Sequence, residues 1–588
     1  MRDDDGPRLP RGVGFKTGEH DKMALQEPRL YTLNEVLHDR IFQVPPYQRG
    51  YSWTTLERDA LFQDLRNVRD LRRDEHFMAT LVFLNTGKQE MIGGADRLSV
   101  YDVVDGQQRL TTLVILLKAI EKNLRKNAQK AQAEKIDAIL VKEQKDLILL
   151  QTNHDARDTL DGYLRKGHIG TLESAVTMHQ RELMRAFREC ERFVDDWGNP
   201  VGLLDVLKNR IKFVFFVLED AGAVYTVFEV LNSRGLNVDW LDKMKSALMG
   251  VAFEKQKKLP AGELRSVEQE WTEIYRVLGK ERVKDDDVLT IAATLHAHQP
   301  PGKGFQEAGA LDFFREEARG GKLTPLEASQ ILRDVVRALD RFLEDPRHRA
   351  VCRVKQARLL ATALLLSPQL KKDSESQEKA LAAWEKAMYR LYVLADEDSR
   401  TRVGACVCLA SEILNANLSL KQIIQRLNEI GNVTPEEATA VLNRIEAYEE
   451  WTSEEIIYFF WKYEERLAAE SGEEIDPITW GKIWQNASKD KSVEHIYPQK
   501  DPYGNWKGKG RQNVKPESFV HRLANLLVLP PGINSKAGTN AFRDKADVYK
   551  NASGLHHVRK IMKLKDWNLS ALEKREKDLI RFAHEQWW

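Results

Sequence analysis

Late in the chain, Glu494 and His495 stand side by side, Pro498 follows, and Asn525-Leu526 and then Asn534 come after it. Histidine titrates near neutral pH, so His495 could take a proton from water as a general base. Glu494 and Asn534 offer oxygen ligands of the kind a hard cation such as Mg²⁺ prefers. A base that activates water, with a divalent ion that stabilises charge on the leaving oxygen, is what phosphodiester hydrolysis requires. The plainer alternative is a structural histidine among turn-forming asparagines.

A second group of polar residues lies in YDVVDGQQRLTT, residues 101–112. Gly106 lets a backbone approach a ligand closely. The helix that follows offers free N–H groups and positive dipole charge at its start. Gln107 and Gln108 add donors, and Arg109 can fork onto a phosphate. Asp105 would orient water or a metal, or else cap the helix. There is no Walker A loop here, and taken alone the stretch reads better as a turn with a capped helix.

Positioning these groups takes a large fold. The chain has 588 residues, 42% hydrophobic and 30% charged, which suits a core-forming protein of several domains. A net charge of +1 excludes a global basic excess but not a local basic surface. The four cysteines, Cys190, Cys352, Cys406 and Cys408, form no C-x-x-C pair, so neither a zinc ribbon nor a redox dithiol is indicated. The N-terminus lacks a signal peptide's apolar core, and runs such as FVFFVL are too short to span a bilayer. A soluble, cytoplasmic protein with no membrane partner is expected.

Periodicity predicts a multidomain, mostly α protein. Residues 1–28 read as a flexible leader, and 29–254 as an α+β domain with a helical insertion over about 126–210. In that domain LNEVLHD reads as helix, IFQV as strand, and HFMATLVFLN and RLSVYDVVD as strands across a polar turn. The helix after Arg109 places Leu110, Leu113, Leu117, Ile120 and Leu124 on one face. Amphipathic helices fill 255–470, broken at 298–304 and near Asp345-Pro346. Residues 471–588 gain Trp, Asn, Gly and Lys and end in a helix.

The order Glu-His-x-x-Pro, Asn-Leu, Asn resembles the HNH (ββα-metal) nucleases. That resemblance implies His495 as the catalytic base, Asn525 orienting it through a backbone contact, and Glu494 and Asn534 binding Mg²⁺ or Mn²⁺. Many relatives carry His where Asn534 stands. The zinc-binding cysteines of some are absent, so packing by residues such as Trp480 and Trp484 must replace them. His521 could grip a scissile phosphate or be structural. Lys545 and Arg543 could touch DNA or form a solvated helix face. In the loop 499–513, Lys500, Lys507, Lys509 and Arg511 with Tyr503 and Trp506 suit a DNA backbone, and such binding weakens with salt.

VPPYQRGYSW at 44–53, Asp64 in LFQDL, VDGQQR, and FEVLNSRG at 228–235 together resemble the N-terminal domain of GmrSD-type, modification-dependent (type IV) restriction enzymes. Related SspE-like and BrxU-like phage-defence proteins share that architecture. The resemblance covers about 30–250, and with the helical middle and HNH-like end almost the whole chain. It implies a ParB/sulfiredoxin-like nucleotidase domain. Gln48, Arg49, Asp105, Gly106, Gln107, Gln108, Arg109, Asn232 and Arg234 would bind a nucleoside triphosphate (GTP, ATP or UTP), with Asp105 and Arg109 also acting in its hydrolysis. Ala79 departs from the pattern, where the family has Gly. Asp242 and Lys245 follow it, and equally fit a helix's first turn. Tyr47, with Pro45, Pro46, Tyr51 and Trp53, forms an aromatic patch that suits either a modified nucleotide of DNA or core packing.

The expected function is an antiphage endonuclease cutting foreign or modified double-stranded DNA at an Mg²⁺-dependent HNH-like site, regulated by nucleotide. The rival is a nucleotide-switched DNA-binding regulator with a degenerate nuclease domain. Glu494, His495 and Asn534 separate the two, because a pure binder needs no base beside metal ligands. One cutting site per chain fits a homodimer for double-strand breaks. Which modification is read, and whether nucleotide promotes or restrains cutting, the sequence leaves open.

Overall fold

The computed structural model describes residues 29–45, 48–92, 96–142, 146–151, 154–219, 239–254, 262–502, 506 and 518–588. They group into two compact units, the first reaching to 236 and taking in 253–256, the second taking in 237–252 and 257–588. The sequence reading kept the stretch around Asp242 with the first domain. Here that helix, α4 (Trp240–Glu254), groups with the second unit as far as Ala252, and Tyr275 donates a hydrogen bond to Asp242.

The first unit is built on a six-stranded mixed sheet. Its strands are β1 (Arg29–Thr32), β2 (Arg40–Val44), β3 (His76–Ile92), β4 (Asp96–Asp105), β5 (Leu149–Gln151) and β6 (Ile211–Leu218), in the order β1-β6-β3-β4-β2-β5. The β-branched and aromatic run IKFVFFVL suits a central strand, and β6 pairs parallel with β3 on one side and antiparallel with β1 on the other. β3 and β4 form the expected antiparallel pair, but β3 continues through the polar Asn85–Gln89 stretch across a register shift. Gly87, at φ +69°, supplies the left-handed residue that this irregularity uses. The segment expected as a helical insertion contributes β5, which extends the sheet by pairing parallel with β2. Its apolar run LILLQ is too short to sustain a helix and reads as strand once an edge is available.

Three helices share the core of this unit: α1 (Thr55–Asp70), α2 (Gln107–Lys126) and α3 (Met178–Trp197). α2 is buried on nearly every side from Leu110 to Glu121, wider than the one-face stripe of the sequence, because α3 and the helix Lys130–Leu140 both pack on it. Arg58 of α1 is fully buried and ion-paired to Glu182 and Glu189 of α3 at 3.1 and 2.6 Å. It also donates to the Trp53 carbonyl. Such a desolvated charge is tolerated only with this many partners.

The second unit is mostly helical. Its helices stop at His296 and Leu343 and restart at Glu307 and Pro346, in line with the expected breaks. The sequence reading divided helices from nuclease-like end at 470. The structure packs them as one compact unit. The reason lies in the last helix, α8 (Leu569–Trp587), whose Trp587 is fully buried against Tyr389 and Phe459 at 4.9 and 5.5 Å. Among the described residues no helix is long and apolar enough to cross a membrane.

Candidate functional site

Glu494 and His495 end a three-residue strand, β7 (Val493–His495), paired antiparallel with β8 (Leu526–Val528). Successive side chains on a strand point to opposite faces. His495 accordingly meets one set of partners and Glu494 another. The His495 ring lies 4.3 Å from that of Tyr448, edge to face, and its Nε2 is 3.4 Å from Nδ1 of His521. The Gln499 amide is within 3.3 Å of its Nδ1. Burial, together with the charges of His521 and Lys545, pulls the His495 imidazole down to about 3. The ring is therefore neutral at physiological pH, with a lone pair to accept a proton.

Asn525 is fully buried just before β8. Its Oδ1 accepts from the Tyr497 N–H at 2.8 Å and from Trp567 Nε1 at 3.1 Å. Its Nδ2 donates to the Tyr497 and Val520 carbonyls at 2.8 Å each. The asparagine thus fixes the chain that leaves His495 and does not contact the ring. Arg575 of α8 donates to the carbonyls on either side of Asn525, at 2.6 and 2.8 Å.

Glu494 faces a closed chamber. Its Oε1 accepts from Lys545 Nζ at 2.6 Å and from the Tyr549 hydroxyl at 3.0 Å. Both donors come from one helix, α6 (Phe542–Tyr549), four residues apart and so on the same face. Lys545 is fully buried, which removes it from any DNA surface and corrects the sequence expectation. Asn534 sits on α5 (Pro531–Ala537), nearly buried, its amide NH₂ donating to the Asp490 carbonyl at 3.1 Å.

In the first unit, Gly106 opens α2 at φ +87°. Three of the expected nucleotide ligands bind backbone instead. Gln48 donates to the Val104 carbonyl at 3.2 Å, and Gln107 to the Arg49 carbonyl at 3.2 Å. Gln108 donates to the Gly50 carbonyl at 3.1 Å and accepts from the Ser52 N–H at 2.9 Å. These contacts dock the 48–53 segment on the mouth of α2. The other polar groups of the motif are Asp105, Arg109 and the side-chain amide oxygen of Gln107, which is buried and has no hydrogen-bond partner. Arg109 lies over the Trp53 ring at 5.6 Å. Burial lowers its pKa, against the opposing fields of Asp105 and Asp64. Residues 48–53 and Asp64 therefore lie near Gln107, Gln108 and Arg109. Burial pushes the Asp105 carboxyl up, offset in part by the Gly106 N–H and Arg109.

A family model described as GmrSD restriction endonuclease, N-terminal domain, matches residues 33–249, and one described as GmrSD restriction endonucleases, C-terminal domain, matches 423–582. The chain belongs to the GmrSD restriction endonuclease family. It is thus a nuclease whose substrate is DNA. No curated protein matches it.

In this GmrSD protein the C-terminal match begins well before 470 and takes in Tyr448, the residue against the His495 ring. Neither Tyr448 nor Gln499 carries a sequence signal for such a role. Asp102 was also missed. Its Oδ1 is buried without a hydrogen-bond partner, and burial pushes the carboxyl up to about 6, against the opposing charge of Lys88. Asn232, Arg234, Tyr47, Lys507, Lys509 and Arg511 lie outside the described residues.

A divalent ion asks for converging oxygen or nitrogen donors. Among the described residues no three His, Cys, Asp or Glu side chains converge in that way. The one carboxylate expected to supply charge is already neutralised by an ammonium at 2.6 Å. The donor set of this GmrSD site does not fit a divalent ion as it is arranged.

Proposed function

We propose that this GmrSD enzyme is an antiphage endonuclease that cuts foreign or modified double-stranded DNA at an HNH-like site on the β7–β8 hairpin, with His495 as general base. The observation that carries the reading is the His495 imidazole itself. It is neutral, held at a strand end by the Asn525 clamp, and bordered by His521 and the exposed Gln499. The water oxygen attacks phosphorus, its proton passes to His495, and the bond to the leaving oxygen breaks, that oxygen taking a proton from solvent. An anionic phosphodiester beside the ring raises its proton affinity, so the base strengthens when DNA is bound. His521 is placed to hydrogen-bond either the ring or a phosphate oxygen. Plasmid cleavage by His495→Ala tests this: a loss on the order of 10²-fold or more is expected, and unchanged cutting overturns the assignment.

The first unit supports a second activity within the same reading, a ParB/sulfiredoxin-like domain in which a nucleoside triphosphate regulates cutting. The motif residues fit such a ligand. Arg109 and the amides that open α2 suit phosphate oxygens. The unpartnered Gln107 oxygen suits a hydroxyl or base N–H. Asp105 is placed to orient water. Arg109→Ala should lose triphosphate hydrolysis while its melting curve stays native, and persistent turnover would move the pocket elsewhere.

A further inference from the structure

The misfit between Glu494 and a divalent ion has a specific cause. Lys545 Nζ donates to Glu494 Oε1 at 2.6 Å and to the His495 carbonyl at 2.6 Å, and lies 5.9 Å from the centre of the Trp506 ring. Two of its protons meet oxygens, and the charge faces an aromatic ring. Tyr549 adds a second donor to the same carboxylate oxygen. All of Glu494, Lys545 and Tyr549 are buried, so no water screens the pair. A hard cation binds a carboxylate oxygen at about 2.0–2.6 Å, and at Oε1 the ammonium already occupies that place. Two cations against one oxygen in a dry chamber repel strongly.

We propose that Lys545 is a resident cation that competes with divalent metal for Glu494, so that metal enters this site only with the ammonium displaced. The same nitrogen holds the His495 carbonyl. Displacing it therefore also frees the backbone of the base, which makes Lys545 a positioning residue whose hold and metal occupancy exclude one another. This rests on reading Glu494 and His495 as the nuclease centre, but its test involves no DNA and no cleavage. A failure here leaves the His495 assignment standing, and the reverse also holds.

The test is calorimetric titration of the full chain with Mn²⁺ alone. Lys545→Met should bind Mn²⁺ on the order of tenfold more tightly than the native chain, and Lys545→Met with Glu494→Gln should lose the gain. Lys545→Arg, which keeps the charge, should stay near native. Where Lys545→Met fails to give a native circular dichroism spectrum, Lys545→Gln serves with the same expectation. A folded Lys545→Met or Lys545→Gln with native or weaker Mn²⁺ affinity overturns the proposal. The native chain decides it as well: micromolar Mn²⁺ binding that vanishes in Glu494→Gln overturns it, and native binding no tighter than that of Glu494→Gln upholds it.

Discussion

At the scale of single residues, His495 has the sharpest consequences. Its pKa falls from 6.5 to about 3, so the folded protein holds the neutral ring where an unfolded chain would protonate it. Its contribution to stability is present above 6.5 and lost as pH falls towards 3. Free-enzyme pH–rate profiles should therefore show no acidic limb near 6.5, and a limb there would mean that the base is another group. Asn525 makes a second case. With all four bonds inside a dry core, Asn525→Ala should cost about 4 kcal/mol in denaturant unfolding, and the surviving folded fraction should cut poorly because Tyr497 is no longer held. The order of Glu494, His495 and Asn525 was legible because the motif is local and the strand pairing joins its halves. The partners were not. Sequence shows that Lys545 is charged, but only the packed helix shows it turned inward.

At the scale of elements, the start of α2 and the clamp around β8 depend on single positions. Gly106 at φ +87° would place a new Cβ 2.4 Å from Leu81 Cδ2. Gly106→Ala should lower stability by about 2 kcal/mol through left-handed strain and crowding, with nucleotide turnover falling alongside. Behind β8, the helix α7 (His556–Met562) presents His556 and His557 to Glu464, and His557 Nε2 faces the Val528 carbonyl at 3.0 Å. Burial works against ionisation of Glu464, yet the charge of His557 and bonds from both residues bring it down to about 2. Its stabilisation is complete above 4.5 and lost as pH falls through 2. Glu464→Gln should melt well below the native protein at neutral pH, and the two should converge as pH drops towards 2. Long periodic helices and the β3–β4 pair were legible from their patterns. β5 was not, because three residues take strand form only when a sheet edge stands beside them.

At the scale of the whole molecule, the sequence predicts a leader and three domains, and the described residues group into two compact units. A shift in composition over 471–588 suggests a separate C-terminal domain, yet the described residues from 262 onward group into one compact unit. Composition reports solvent and chemistry, whereas a domain boundary depends on which helices share apolar contacts. Trp587 shows what that closure does. It is buried between Tyr389 and Phe459, and its helix also carries the Arg575 that grips the carbonyls beside Asn525. Trp587→Ala should cost about 4 kcal/mol, read as a drop in melting temperature, and should depress DNA cutting from a position far along the chain from His495. Native cleavage at native melting temperature would show that α8 does not support the hairpin.

The β7–β8 pairing has a further consequence, for how the chain tolerates changes in length. His495 faces Leu526 and Glu494 faces Leu527, with base and buried acid on opposite sides of a strand only three residues long. Adding or deleting one residue inside it reverses parity and sends the imidazole into the lysine chamber. Insertions or deletions between 496 and 518 leave that parity untouched. Within that stretch Tyr497, Gln499 and Trp506 remain constrained, because they meet Asn525, His495 and Lys545.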